Sequence, residues 1–249
     1  MLHRRIYQFF IIYALGVTLL FVIKYVLHLS DYVIPSPLEI WQTGKNAFFR
    51  YFFNVIDTLS VAILGHILSI CLATLVGIIG RLTLWIGSFI RVAAYNIQAY
   101  PIVAVAPIIF ILLGDGLSSR LLITAMICYF PLLLSFIGIL TEPVTEIEHF
   151  YDTTLRMNWR LQVRIRAFEN ISKITTVIVG SGTLAIVGTI VSEFIAANAG
   201  IGHSIRIALY QSDLAKILIA LFLIGIFTSL YLVCLEWMGQ VVQKRLQST

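Results

Sequence analysis

Gly180-Ser181-Gly182 has the residue types of a nucleophile turn, because a serine between glycines is how a sharp bend presents a hydroxyl for acyl transfer. Such a serine needs a histidine base and a carboxylate to orient that base. Here the flanking residues read as one long apolar helix rather than strand, turn and helix, and no His or Asp lies at a matching depth to complete a triad. An intramembrane hydrolase stays as the alternative. The chain has no glycine-rich loop ending in Lys-Ser or Lys-Thr and no His-Glu-x-x-His, so it is not expected to hydrolyse ATP itself. Cys71, Cys128 and Cys234 each stand alone in an apolar segment with no ligand at metal-binding spacing, and read as small buried hydrophobes. No catalytic residue, metal or cofactor is therefore expected within this chain.

A second kind of chemistry is polar side chains inside apolar segments, where each costs free energy and marks a candidate pathway residue. Glu193 stands first: it can gate a pore or bind a cation-bearing group, or else sit hydrated near the headgroups. His66, Asn96 and Gln98 come next, each with interhelical hydrogen bonding as the alternative role. Pro101 and Pro107 free backbone carbonyls that can line a watery path or merely kink the helix. Ser181 lies in a stripe of small residues with Gly180, Gly182, Thr183, Ala185 and Gly188, which lets neighbouring helices come close and predicts a central position for that segment.

The third concentration is charge. Residues 142–173 form the one long polar passage between apolar runs, with Arg156, Arg160, Arg164 and Arg166 near Asp152. Phe150, Leu155 and Trp159 fall among these charges at helical spacing, which predicts one or two short amphipathic helices begun by Thr145 or Asp152 as N-caps. A solvated loop that only obeys the positive-inside rule is the alternative.

These residues must be positioned by membrane helices. The 249-residue chain is 59% hydrophobic and 12% charged, against roughly a quarter charged in soluble domains, and its mean hydropathy is +0.96. The fold class expected is an all-α membrane protein, one transmembrane domain over 1–249. A hydrocarbon core about 30 Å thick needs about 20 apolar residues per helix. Six segments approach that length, near 8–28, 56–80, 93–113, 120–140, 174–196 and 215–239. The first follows His3, Arg4 and Arg5 but has no Ala-x-Ala cleavage site, and is read as a span rather than a signal peptide. Residues 29–54, with Pro35-Ser36-Pro37 and then Trp41, Phe48 and Phe49 among Lys45 and Arg50, read as an interfacial segment on the outer side. Arg4, Arg5, Arg81, Arg91, the 142–173 cluster, Lys244 and Arg245 put both termini in the cytoplasm. The net charge of +5 is spent on topology and implies no nucleic acid.

In order and spacing the chain resembles the permease subunits of binding-protein-dependent ABC importers, in the sulfonate, taurine and nitrate branch. The similarity covers roughly residues 33–245: Pro35-Ser36-Pro37; Asp57-Thr58-Leu59-Ser60 opening a helix that ends in Gly77 and Gly80; Tyr100-Pro101 through Pro107; Gly114-Asp115-Gly116; Ser119-Arg120; Phe130-Pro131; and Ser192-Glu193-Phe194 ahead of Gly200-Ile201-Gly202. The family's loop signature is Glu-Ala-Ala, three residues, then Gly, and later Leu-Pro. Here Asp152-Thr153-Thr154-Leu155-Arg156-Met157-Asn158 stands at that place, with Asp for Glu, Thr for both Ala and Asn for Gly, and no proline follows in the loop.

The resemblance implies a type I importer fold of about six spans in a bacterial inner membrane, working as one of a pair of permease subunits, as a homodimer. It implies cytoplasmic ATPase subunits that bind ATP and magnesium, an external solute-binding protein, and a small, anionic solute. By position, Phe150 to Gln162 would be the coupling helix that docks on the ATPase. Asp152 would cap its start, Asn158 would replace the flexible glycine, Leu155 and Trp159 would fill a groove, Arg156 would pair with an acid there, and Arg160 would belong to the same coupling surface. The rival functions are a membrane scaffold that keeps the fold without moving solute, and a secondary transporter.

Overall fold

The computed structural model describes residues 2–154 and 157–247, with the side chains of residues 2–6, 145, 246 and 247 left aside. The described residues form ten helices: α1 (Leu2–Val26), α2 (Pro37–Ile79), α3 (Leu84–Gln98), α4 (Ile102–Leu113), α5 (Leu117–Thr141), α6 (Thr145–Thr153), α7 (Trp159–Glu169), α8 (Ile171–Ile195), α9 (Gly200–Tyr210) and α10 (Leu214–Gln247). Five are long and apolar enough to cross a membrane, and the bent pair α3–α4 makes a sixth if it counts as one span.

Two boundaries differ from the sequence expectation. The segment 29–54 is not separate from the second span. Ser36 accepts a hydrogen bond from the Glu39 amide at 3.3 Å, Pro37 occupies the first turn, and the helix then runs unbroken for 43 residues. Proline at the first helical turn removes only an amide that would lack an intrahelical partner, so it starts the helix rather than breaking it. At 1.5 Å per residue α2 is about 65 Å long, roughly twice the hydrocarbon thickness. The expected span 93–113 begins earlier, at Leu84, and is broken into α3 and α4, which meet at 88°. Pro101 lacks an amide and pushes Tyr100 away from helical geometry, so the chain turns there.

The core is built on α2, α5 and α8, flanked by α9 and α10. The small-residue stripe makes α8 central as expected: a Cβ on Gly182 would meet Leu235 of α10 at 2.8 Å, and one on Gly188 would meet Ile127 of α5 at 2.9 Å. Helix α4 rests on α5 and the turn after α8 through Ala106, Ile109, Phe110, Ile123 and Ala197. Helix α1 is peripheral. It runs antiparallel to α10 and meets it through Phe9 and Tyr13 against Phe222, with the Tyr13 hydroxyl donating to the Leu218 carbonyl at 3.0 Å. The described ends of α1 and α10 at Leu2 and Gln247 lie on the side of residues 142–170, called the loop end below, as contacts such as Gln243 with Ser172 require.

Candidate coupling site and buried polar clamps

At the loop end one carboxylate organises four chain segments. Glu148, in α6, accepts from the Val144 amide at 3.1 Å, which closes the first turn of its own helix. Arg166, in α7, grips it with two parallel bonds, Nε to Oε1 at 2.5 Å and Nη2 to Oε2 at 2.7 Å. The other guanidinium nitrogen of Arg166 donates to the Leu140 and Thr141 carbonyls at 2.8 and 3.0 Å, where the last turn of α5 has lost its intrahelical donors. Gln162 donates to Glu148 at 3.1 Å and accepts from Arg81 at 2.9 Å, which brings in the turn between α2 and α3. Both Glu148 and Arg166 are buried. The Arg166 hydrogen bonds outweigh the cost of burial and hold the Glu148 carboxyl down at about 2. Fork-shaped Arg–carboxylate pairing is the strong, directional form of ion pair, so α6 and α7 are latched to α5 as a unit.

The expected coupling helix over Phe150–Gln162 is corrected by this geometry. The described residues form two helices, α6 ending at the cap residue Thr154 and α7 starting after the cap residue Asn158. Asp152 lies in the last turn of α6 and caps no helix start; α6 begins at Thr145, with Val144 as its N-cap position. Asn158 performs the capping: its side-chain oxygen accepts from the Leu161 amide at 2.8 Å, with an extended backbone at φ −138° rather than a left-handed glycine-like one. Phe150 is exposed and packs edge-on against Tyr151. Trp159, 43% exposed, opens α7 with the Arg160 guanidinium 5.5 Å from its ring centre. Leu155 and Arg156 lie outside the described residues.

At the opposite end Glu193 is completely buried, which removes the reading of a hydrated headgroup residue. One carboxylate oxygen accepts from the Thr58 hydroxyl at 2.7 Å and the Gly202 amide at 3.0 Å; the other pairs with Arg120. Arg120 also pairs with Asp57 at 2.7 Å, and Asp57 is 44% exposed on its side chain. Thr58 in turn accepts from the Ile201 amide at 2.8 Å. Helices α2, α5, α8 and α9 thus converge on one carboxylate. The glycines that follow it are required by this approach: Gly200 has φ +90°, and a Cβ there would overlap the Glu193 carboxylate, while a Cβ on Gly202 would overlap the Ile190 carbonyl.

Between the two ends His66, fully buried, bonds Tyr231 through Nδ1 at 2.6 Å and Ser181 through Nε2 at 2.8 Å, joining α2, α10 and α8. The Ser181 hydroxyl donates its single proton to the Ile178 carbonyl at 2.9 Å. With that proton so placed, the consistent tautomer has His66 Nε2–H donating to Ser181 and Tyr231 donating to Nδ1. That is the reverse of a nucleophile handing its proton to a base, and the pair is an interhelical clamp. Thr124 and Thr189 form another, at 2.8 Å between α5 and α8. Asn96 and Gln98 lie exposed near the end of α3, and Pro101 stands at the break, apart from these clamps. Among the described residues no three His, Cys, Asp or Glu side chains gather as metal ligands.

Sequence reasoning named Glu193, His66 and Ser181 but left Asp57, Arg120 and Tyr231 unpaired with them, and it passed over Glu148 and Gln162. The available signal for the first group was an ionisable or hydroxyl group in each of several apolar helices, where burial demands a partner. For Glu148 and Arg166 there was none, because acids and arginines are common throughout the polar segment.

No family model matches the chain. It is 24% identical over 202 residues, 79% of either chain, to the formylaminopyrimidine transport permease protein ThiX of Halalkalibacterium halodurans. It is 34% identical over 135 residues to the riboflavin transport system permease protein RibX of Chloroflexus aurantiacus, covering 53% of this chain and 49% of that one. It is 24% identical over 182 residues to a probable ABC transporter permease protein of Haemophilus influenzae, covering 69% and 70%. With its apolar helices, the chain is a multi-pass inner-membrane protein similar to these ABC transporter permeases.

Proposed function

We propose that this chain is the membrane subunit of an ATP-driven importer, paired with a second permease subunit, with its loop end and both termini in the cytoplasm. Separate ATPase subunits bind ATP and magnesium and dock on α6 and α7; an external binding protein delivers the solute at the Glu193 end. The observation that carries this is the Glu148–Arg166 latch. It fixes two short helices with exposed Phe150 and Trp159 rigidly to the end of a membrane span, which is what a part that transmits force requires. An exposed aromatic with a neighbouring Arg is also a common interface anchor. The resemblance to the sulfonate, taurine and nitrate branch had implied an anionic solute. Two of the three relatives are named for nitrogen heterocycles, which favours a small heterocyclic solute instead.

Trp159→Glu puts a charge in the proposed docking face without touching the latch. Copurification of an ATPase subunit with the wild type and its loss in this variant, with membrane insertion unchanged, is the expected result; equal copurification overturns the coupling role. Reconstitution with the ATPase and a loaded binding protein then separates an importer from a scaffold. An importer shows ATP turnover stimulated by the loaded binding protein, and a scaffold does not. Loading the binding protein with an aminopyrimidine in one arm and a sulfonate in another decides the solute class.

A further inference from the structure

Beside the latch, at the loop end, a cavity of about 590 Å³ opens between the α2–α3 turn, the first turns of α3 and the end of α5. Its polar lining is Arg81, Thr83, Ser88, Arg91 and Thr141. Charge around it is unbalanced. Two carboxylates lie near its α5 side: the Glu148 oxygens are taken by Arg166, Gln162 and the Val144 amide, and Glu142, next to Thr141, pairs with Lys173. Burial and then the neighbouring Arg166 pull Arg81 below the ordinary arginine range, with Glu148 opposing them. Arg81 spends one terminal nitrogen on Gln162, while its Nε is buried with no partner among the described residues. No ion pair within the described residues engages Arg91. The cavity is therefore a basic, hydroxyl-lined recess.

What flanks the recess identifies its environment. Leu84 is 91% and Trp85 75% exposed, and Phe89 is exposed and stacked on Trp85 with ring centres 5.7 Å apart. Exposed aromatics beside arginines at the end of membrane helices mark the headgroup level of a bilayer. A basic pocket between spans at that depth matches the phosphate of an anionic lipid.

We propose that the Arg81–Arg91 recess binds the phosphate-bearing headgroup of an anionic lipid in the leaflet at the loop end. The site rests on the chain's being a membrane protein and is independent of any import role. A lipid held there sits against the Arg81–Gln162 bond, and so touches the same joint that positions α6 and α7.

The test is native mass spectrometry of the full chain released from nanodiscs containing equal amounts of phosphatidylglycerol and phosphatidylcholine. Preferential retention of phosphatidylglycerol is expected, reduced about fivefold in Arg91→Ala and restored in Arg91→Lys, since a basic residue near the membrane surface is worth about that factor. Arg91 is exposed and outside the latch, so the variant is expected to fold. Equal retention of the two lipids, or retention unchanged in Arg91→Ala, overturns the proposal. Adding inorganic phosphate separates the sources: a lipid site keeps its phosphatidylglycerol. Displacement by phosphate alone, or retention abolished by an acidic partner protein at the same residues, assigns the recess to another ligand and overturns the lipid assignment.

Discussion

Arg166→Met tests the latch directly. The substitution keeps much of the side-chain volume but leaves the Glu148 carboxylate buried without its cation and strips two carbonyls at the end of α5 of their donor. Removing one partner of a buried pair costs about 3–5 kcal/mol. The depression of Glu148 from an ordinary 4.5 to about 2, with the Arg166 hydrogen bonds as the largest cause, points the same way. Because α6 touches mainly α7, and α7 mainly the ends of α5 and α8, the loss falls chiefly on the local unit and not on the bundle. Amides in α6 and α7 should then exchange with solvent about 100-fold or more faster in Arg166→Met, while those in α2 and α8 are unchanged. The sign of the pH dependence follows from the same depression. The carboxylate's stabilisation is complete above the unfolded value near 4.5 and is lost as pH falls toward 2, so wild-type α6 should loosen over that interval and the Glu148→Gln variant should show no such transition. Exchange rates in α6 and α7 unchanged by Arg166→Met would refute the latch.

Three further outcomes are expected. Gly200→Ala should lower the thermal midpoint of the detergent-solubilised protein, with a cost of about 2–3 kcal/mol or more, because it combines a positive φ with overlap on Glu193; thermal-shift measurement checks this. Tyr231→Phe should cost about 1–2 kcal/mol in the same assay by leaving His66 Nδ1 without a donor. Ser181 should resist fluorophosphonate labelling, since its proton is given to the Ile178 carbonyl and His66 is a donor to it; stoichiometric labelling abolished in Ser181→Ala would reverse that assignment.

Much of the architecture was legible because lipid leaves few choices. Continuous apolar runs must be helices, which set the fold class and five or six spans, and small residues on α8 announced its central packing. Local signals failed where one residue type has two uses. Pro37 reads as a breaker but starts a helix, and Asp152 reads as an N-cap but ends one, while Asn158 caps the next. Candidate residues in the spans were found singly by the cost of their burial. Their partners came from helices far away in sequence, such as Thr58 and Arg120 for Glu193.

The sequence by itself determined a membrane protein of helices with a polar, basic segment between spans, since transfer free energy depends on composition along the chain and on little else. Only the tertiary structure decided what that segment is attached to. Glu148 and Arg166 are 18 residues apart and unremarkable among many charges. Their pairing, the capping of α5 by Arg166, and the basic recess beside them arise from where four segments meet in space, and directional hydrogen bonds in a low-dielectric joint depend on that geometry alone.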